Sequence, residues 1–199
     1  MSLGYTRDSF VPLTPVARTS FVLVVRSALD IHSYNDFLKR VPKNFKLGFW
    51  HEPTRRVIDQ WIKLAGLPTP TTKSYTGSTT QAEALASGEI DFAFDTWVAA
   101  RANPAVRAIA VLDSTSGLGL DCLSTLYPDI DIDNWYGIVA PATMDPELAK
   151  KLEQVLAEGF RKDKYRQRLE DLEFRPWHGT AKDFEEQQSK TIDFYRNIK

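Results

Sequence analysis

Between Phe21 and Leu112, short apolar runs of strand length take turns with stretches of helical period. That alternation narrows the fold more than any other feature. Phe21-Val22-Leu23-Val24-Val25 is apolar and largely β-branched, and predicts a buried strand. Ser33 can cap a short helix whose face is Tyr34, Phe37, Leu38 and Val41. Phe45 to Trp50 predicts a second strand. Pro53 suits the first position of a helix carrying Val57, Ile58, Trp61, Ile62, Leu64 and Ala65 on one stripe, and Gly66, Pro68 and Pro70 stop it. Thr71 to Tyr75 is β-rich. Gly77-Ser78-Thr79-Thr80 is a turn that can start a helix from about Gln81 to Ser87, ended by Gly88. Ile90, Phe92 and Phe94 alternate with Asp91, Ala93 and Asp95, the pattern of a half-buried strand, and Arg107 to Leu112 predicts another.

Asp113 to Gly119 reads as a loop, and Trp135 to Ala140 as the last strand. The final third is helical. Asp145 caps a helix with Leu148, Leu152, Val155, Leu156 and Phe160 on one face. Tyr165, Leu169 and Leu172 fit a second. Thr180 and Asp183 open a third, with Phe184, Gln188, Thr191, Tyr195 and Ile198 facing inward. Strand–helix alternation followed by helices predicts an α/β architecture with a largely parallel sheet.

With 25 Lys and Arg against 26 Asp and Glu, the net charge of −1 lacks the basic footprint of a nucleic-acid binder, so no nucleic-acid partner is expected. A hydrophobic fraction of 43% over 199 residues can build a core without a metal or disulfide staple. Apolar runs stay far below the ~18 to 20 residues of a membrane span. Met1 to Phe10 lacks the apolar stretch of a signal peptide, and Met1-Ser2-Leu3 reads as a start appended to the natural sequence.

Catalytic and metal motifs are missing. Thr76-Gly77-Ser78 lacks the second glycine of a nucleophile elbow. Gly117 and Gly119 are followed by Cys122 where a dinucleotide loop needs glycine. His32, His51 and His178 have no ligand spacing, and His51-Glu52 is followed by Arg55 where a zinc helix needs histidine. The single cysteine, Cys122, follows Asp121, which is expected to raise its pKa and leave it a packed thiol. No catalytic residue, metal or cofactor is expected. For an enzyme, His51 with Asp95 or Glu52 is the only conceivable arrangement.

Three turns can bind a small solute. In α/β sheets, ligands sit beyond the C-terminal strand ends, near helix starts with open N–H groups. Trp50-His51-Glu52-Pro53-Thr54-Arg55 is the first such turn. Arg55 and Arg56 oppose the helix dipole there, so they are either solvated or wait for an anion. Trp50 either walls a pocket or packs in the core. At Gly77, Ser78 and Thr79, hydroxyls and backbone donors can hold a carboxylate or simply cap the helix. Asp95, past its strand, can take a ligand amine or hydroxyl, or cap the next segment. Together these turns suggest a small-molecule cleft with no catalytic set inside it.

Longer motifs carry a family resemblance. Trp135-Tyr136-Gly137-Ile138-Val139-Ala140-Pro141, a proline-started helix and Gly179, Thr180 and Phe184 resemble the receptors of tripartite tricarboxylate transporters, the Bug family. Phe10-Val11-Pro12 with Phe21 to Val25, Ser74-Tyr75-Thr76-Gly77-Ser78, Ala84 to Asp95 and Arg107 to Val111 are similar in the same order. The resemblance implies a periplasmic-binding-protein-like, type II, parallel or mixed sheet lobe. Its helical C-terminal segment then belongs to the other lobe of a Venus-flytrap pair. Residues 1–19 would cross between lobes, 20–112 form the second lobe, and 113–199 return to the first.

It also implies capture of a small carboxylated organic anion in the periplasm and delivery to a membrane permease, without catalysis or cofactor. The family's chains extend further at the N-terminus, with a signal peptide and a Gly-rich loop of the first lobe. A chain without that third is expected to repack Val155, Leu156, Phe160, Phe184 and Tyr195, or to cover the missing-lobe surface in a homodimer. Trp50-His51-Glu52-Pro53 stands where the family has a Gly/Ser-rich loop, and Thr76 where it has a lysine-like residue. A binding module that keeps the fold without transport is the alternative function, and a small α/β enzyme a more distant one.

Overall fold

A computed structural model describes residues 4–198. The reading of Met1-Ser2-Leu3 as an appended start lies outside the described residues. The chain divides into two compact units. One contains Met1–Arg18 and Trp135–Phe194, the other Thr19–Asn134 and Tyr195–Lys199. Residues 113–134 therefore fold with the strands that precede them.

The second of these units is an α/β sheet. Its strands are the latter part of β1 (Phe10–Arg26), β2 (Lys46–Phe49), β3 (Thr71–Ser74), β4 (Phe92–Thr96), β5 (Val106–Val111) and β6 (Asp121–Cys122), in the order β3-β2-β4-β1-β5-β6. β2 runs parallel to β3 and β4, and β5 parallel to β6. β1 runs antiparallel to both its neighbours, with Val22 opposite Asp95 and Val111. The sheet is thus mixed rather than largely parallel. Periodicity along a strand carries no record of its direction, and the partners of β1 lie some seventy to ninety residues away.

Helices cover both faces. α1 (Tyr34–Arg40) is capped by Ser33, whose hydroxyl accepts from Asp36 N–H, as its sequence predicts. α2 (Glu52–Leu64) has Pro53 in its first turn and buries Val57, Ile58, Trp61 and Ile62. Its residues and those of α1 build an aromatic face on the sheet. Phe37 meets Phe92 at 4.8 Å, and Trp61 meets Phe94 at 5.2 Å. α3 (Ser78–Ser87) lies on the opposite face, where Ala84 and Leu85 pack with Ile90, Ala93, Val22, Val24 and Val111. β4 is therefore buried on both sides. The alternation at Phe92 to Asp95 predicts a half-buried strand, but Ala93 is small enough to fit under α3 and Asp95 is only 3% exposed. α4 (Trp97–Ala102) and α5 (Leu123–Leu126) complete the unit.

The other unit is built on the first part of β1. β7 (Asp133–Pro141) pairs with β1, as does β8 (Arg175–Pro176), a two-residue strand through Ala17 and Arg18. β7 is accordingly not the last strand. α6 (Pro146–Arg161) is capped by Asp145, α7 (Asp163–Asp171) follows, and α8 (Ala181–Asn197) closes the chain. Phe184 is buried between Trp135 and Trp177, directly over Gly137, where any side chain would collide with its ring. By contrast α6 buries none of its residues; Leu148 is 48% and Val155 66% exposed. Among the described residues no helix is long and apolar enough to cross a membrane.

Candidate functional site

Because β2, β3 and β4 are parallel, their C-terminal ends lie side by side. Phe49 is level with Ser74 and Gly48 with Ala93, so Trp50, just past β2, comes beside Asp95, which is not past its strand as expected but still within β4 opposite Val22. α3 begins after the β3 end, one turn earlier than its apolar positions predict, with Ser78 rather than Gln81 first. Its N-cap is Gly77, which has no side-chain oxygen. The first-turn N–H groups thus have no side-chain cap and stay open to an outside acceptor.

Asp95 is the centre of this rim. The Ser78 hydroxyl donates to it at 2.7 and 2.9 Å. Gln81 Nε2 donates at 3.3 Å and Thr96 N–H at 2.7 Å, and the Trp50 side chain also hydrogen-bonds it. Burial pushes its carboxyl above the ordinary aspartate range, while those hydrogen bonds hold it back. Capping of α4 falls to Thr96, whose hydroxyl accepts from Ala99 N–H at 3.3 Å. The structure therefore brings Trp50, Ser78 and Asp95 together. Thr79 is exposed beside them.

Gln81 is a member of this cluster that sequence reasoning used only as a helix start. It is fully buried, and its amide also donates to the Phe94 carbonyl at 3.1 Å. A signal existed: Gln81, Ala84 and Leu85 share one helix face at i, i+3, i+4 spacing, and a glutamine on an apolar face calls for a buried partner.

At the start of α2 the arrangement is different. His51 is the N-cap without a capping bond; its Nδ1 lies 3.4 Å from the hydroxyl of Thr54, which is 4% exposed. Its ring lies 5.5 Å from that of Trp50, and burial lowers its pKa. Arg55 turns back along α2 to Asp59 at 3.2 Å and lies over the Phe49 ring; Arg56 reaches the Tyr195 carbonyl at 3.5 Å. Neither reading of these arginines, solvated or waiting for an anion, anticipated these contacts with the protein itself.

A separate open depression of about 480 Å³ lies between the edge strand β3 and α3. Its wall carries Lys73, Tyr75 and Glu89, and the carboxylate of Glu89 accepts from both other side chains. Neither Ser78 nor Asp95 lines it.

Cys122 has its thiol pushed up by burial, but hydrogen bonds with Ser124 and Thr125 outweigh this and leave its pKa below the ordinary value. The rise expected from Asp121 is corrected on that ground; the Asp121 carboxylate is occupied by Tyr34 N–H at 3.1 Å. Among the described residues no group of three or more His, Cys, Asp or Glu could hold a metal ion.

Residues 2–195 match the sequence profile of the tripartite tricarboxylate transporter family receptor. A Rhodopseudomonas palustris protein solved with adipate superposes with a TM-score of 0.86 at 19% identity, covering 99% of this chain and 70% of its own. MatC from Rhodopseudomonas palustris with bound malate gives 0.76 at 18%, covering 98% and 73%. The periplasmic binding protein BugD gives 0.79 at 18%, covering 96% and 69%. At such identities these likenesses show the fold. No curated protein sequence matches the chain.

Proposed function

The chain belongs to the tripartite tricarboxylate transporter receptor family, and on that premise we propose that it captures a small carboxylated organic solute at the rim of β2, β3 and β4. Its family is one of solute-binding receptors, not enzymes. The observation that carries this reading is the uncapped start of α3 beside the Ser78–Asp95–Trp50 cluster. Open N–H groups at a helix start suit a carboxylate, and no redox or bond-breaking set is needed to hold one. The proposed site comprises Trp50, His51, Thr54, Arg55, Gly77, Ser78, Thr79 and Asp95, the last acting through Ser78 rather than on the solute itself. Arg55 would have to leave Asp59 to reach a solute.

Delivery to a membrane permease and a periplasmic location are part of the same proposal. They are supported by the family and by neighbours described as periplasmic. The family plan of a second lobe at 20–112 with first-lobe segments on either side is kept in this proposal with residues 113–134 moved into the second lobe, since they fold with its strands. The uncovered side of α6 would be met by a second copy of the chain. The alternative, a module that keeps the fold without transport, is favoured by one observation: Arg55 and Asp95 both already have protein partners.

Thermal unfolding with a panel of mono-, di- and tricarboxylates decides between them. A receptor gains about 2.7 kcal/mol of stability at a hundredfold excess over Kd. A flat response to every acid rejects the receptor proposal.

A further inference from the structure

The direction of one hydrogen bond has a consequence for what the rim can accept. A hydroxyl has one hydrogen and two lone pairs. The hydrogen of Ser78 goes to Asp95, at 2.7 and 2.9 Å from its two oxygens. Asp95 is 3% exposed, and its carboxylate takes four protein donors: Ser78, Gln81, Trp50 and the Thr96 N–H. An ionised carboxylate offers about four acceptor positions and no hydrogen to return. Asp95 therefore has no vacant lone pair for a solute, and it fixes the Ser78 hydroxyl as an acceptor.

This bears on solute chemistry because a plain carboxylate is also acceptor-only. Placed against Ser78 Oγ it would set lone pair against lone pair, next to a buried negative charge. Resting on the proposed receptor function, we infer that the solute carries a hydrogen-bond donor, a hydroxyl or an ammonium, beside its carboxylate, and that Ser78 Oγ accepts from it. Ser78 is then the residue that separates hydroxy- and amino-acids from unsubstituted acids of the same charge. Asp95 and Gln81 act through it as positioning residues: Gln81 holds the carboxylate, and the carboxylate sets the rotor of Ser78.

The test uses malate, aspartate and succinate, which share a four-carbon dicarboxylate frame and differ in one substituent. Affinities are measured by titration calorimetry for the wild type, Ser78→Ala and Ser78→Thr. The wild type is expected to bind malate or aspartate at least about tenfold more tightly than succinate, as one hydrogen bond allows. The two donors separate by which of malate and aspartate gains. Ser78→Ala is expected to bring the acids within about threefold of each other, since only the accepting oxygen is lost. Ser78→Thr keeps that oxygen and keeps the preference. Binding of both malate and aspartate no tighter than succinate by the wild type, or a preference that survives in Ser78→Ala, overturns the inference and leaves the receptor function standing. If the wild type binds none of the three acids or any other acid in the thermal panel, the receptor function falls and this inference with it.

Discussion

The Cδ1 of Ile90 occupies the space that a side chain at residue 48 would need. Gly48 sits in β2 between Lys73 and Ala93, and the Tyr75 ring closes the same space at 3.1 Å from where a Cβ would stand. The glycine thus lets α3 and the end of β3 settle onto the sheet. Gly48→Ala is expected to cost about 1–3 kcal/mol through overpacking. For a chain of this size that is a fall in Tm of roughly 2–4 °C per kcal/mol. An unchanged melting curve would show that Ile90 and Tyr75 yield freely.

The Tyr34 hydroxyl joins the two sides of a second buried contact. Trp61 Nε1 donates to it at 2.9 Å, and it donates to the Tyr127 hydroxyl at 3.2 Å. Burial raises its pKa well above the ordinary phenol value, so it stays protonated. Tyr34→Phe leaves the fully buried indole N–H without an acceptor, while half-buried Tyr127 can turn to water. The expected loss is about 1–3 kcal/mol in urea unfolding, with an unchanged m-value. A neutral substitution would mean that the indole finds another acceptor.

Asp95 gives a signed pH dependence. Its carboxyl is raised by burial, so the folded protein holds this proton to higher pH than the unfolded chain. From the unfolded value of about 3.9 up to the folded one, the folded state binds more protons, and the contribution falls as pH rises. It is fully present below that window and lost above it. Asp95→Asn does not titrate. The stability of wild type minus variant should therefore decline as pH is raised from acid toward neutrality, by urea unfolding at matched ionic strength. A flat or rising difference contradicts the assigned direction.

Much of the fold was legible because local chemistry and tertiary packing agree. Ser33, Pro53, Asp145 and Gly88 stand where their helices start or stop, and Gly88 takes the left-handed φ of 78° that such an end requires. What could not be read depends on partners distant in the chain. β1 extends over 17 residues because its flanking segments pair with β8 and β7 as well as β4 and β5. The Arg175–Pro176 strand has no periodicity to reveal it. At the site, strand ends and helix starts were visible as turns. The donation of Ser78 to Asp95 and the insertion of Gln81 were not, because a side chain's partner across 14 to 17 residues leaves no mark in its own neighbourhood.

Leu148 and Val155 are seven residues apart on α6, hence on one side of the helix, and both are exposed. Asp145 caps this helix soundly, so its apolar side is not a sign of fraying. Exposed apolar side chains repeated along one side of a helix favour association. Sedimentation at increasing concentration is expected to show self-association of the wild type. Leu148→Glu with Val155→Glu should abolish it without lowering Tm, since neither side chain is buried in the isolated chain. A wild type that stays monomeric at its highest soluble concentration removes the homodimer from the proposal; self-association that persists in the double variant moves the interface off α6.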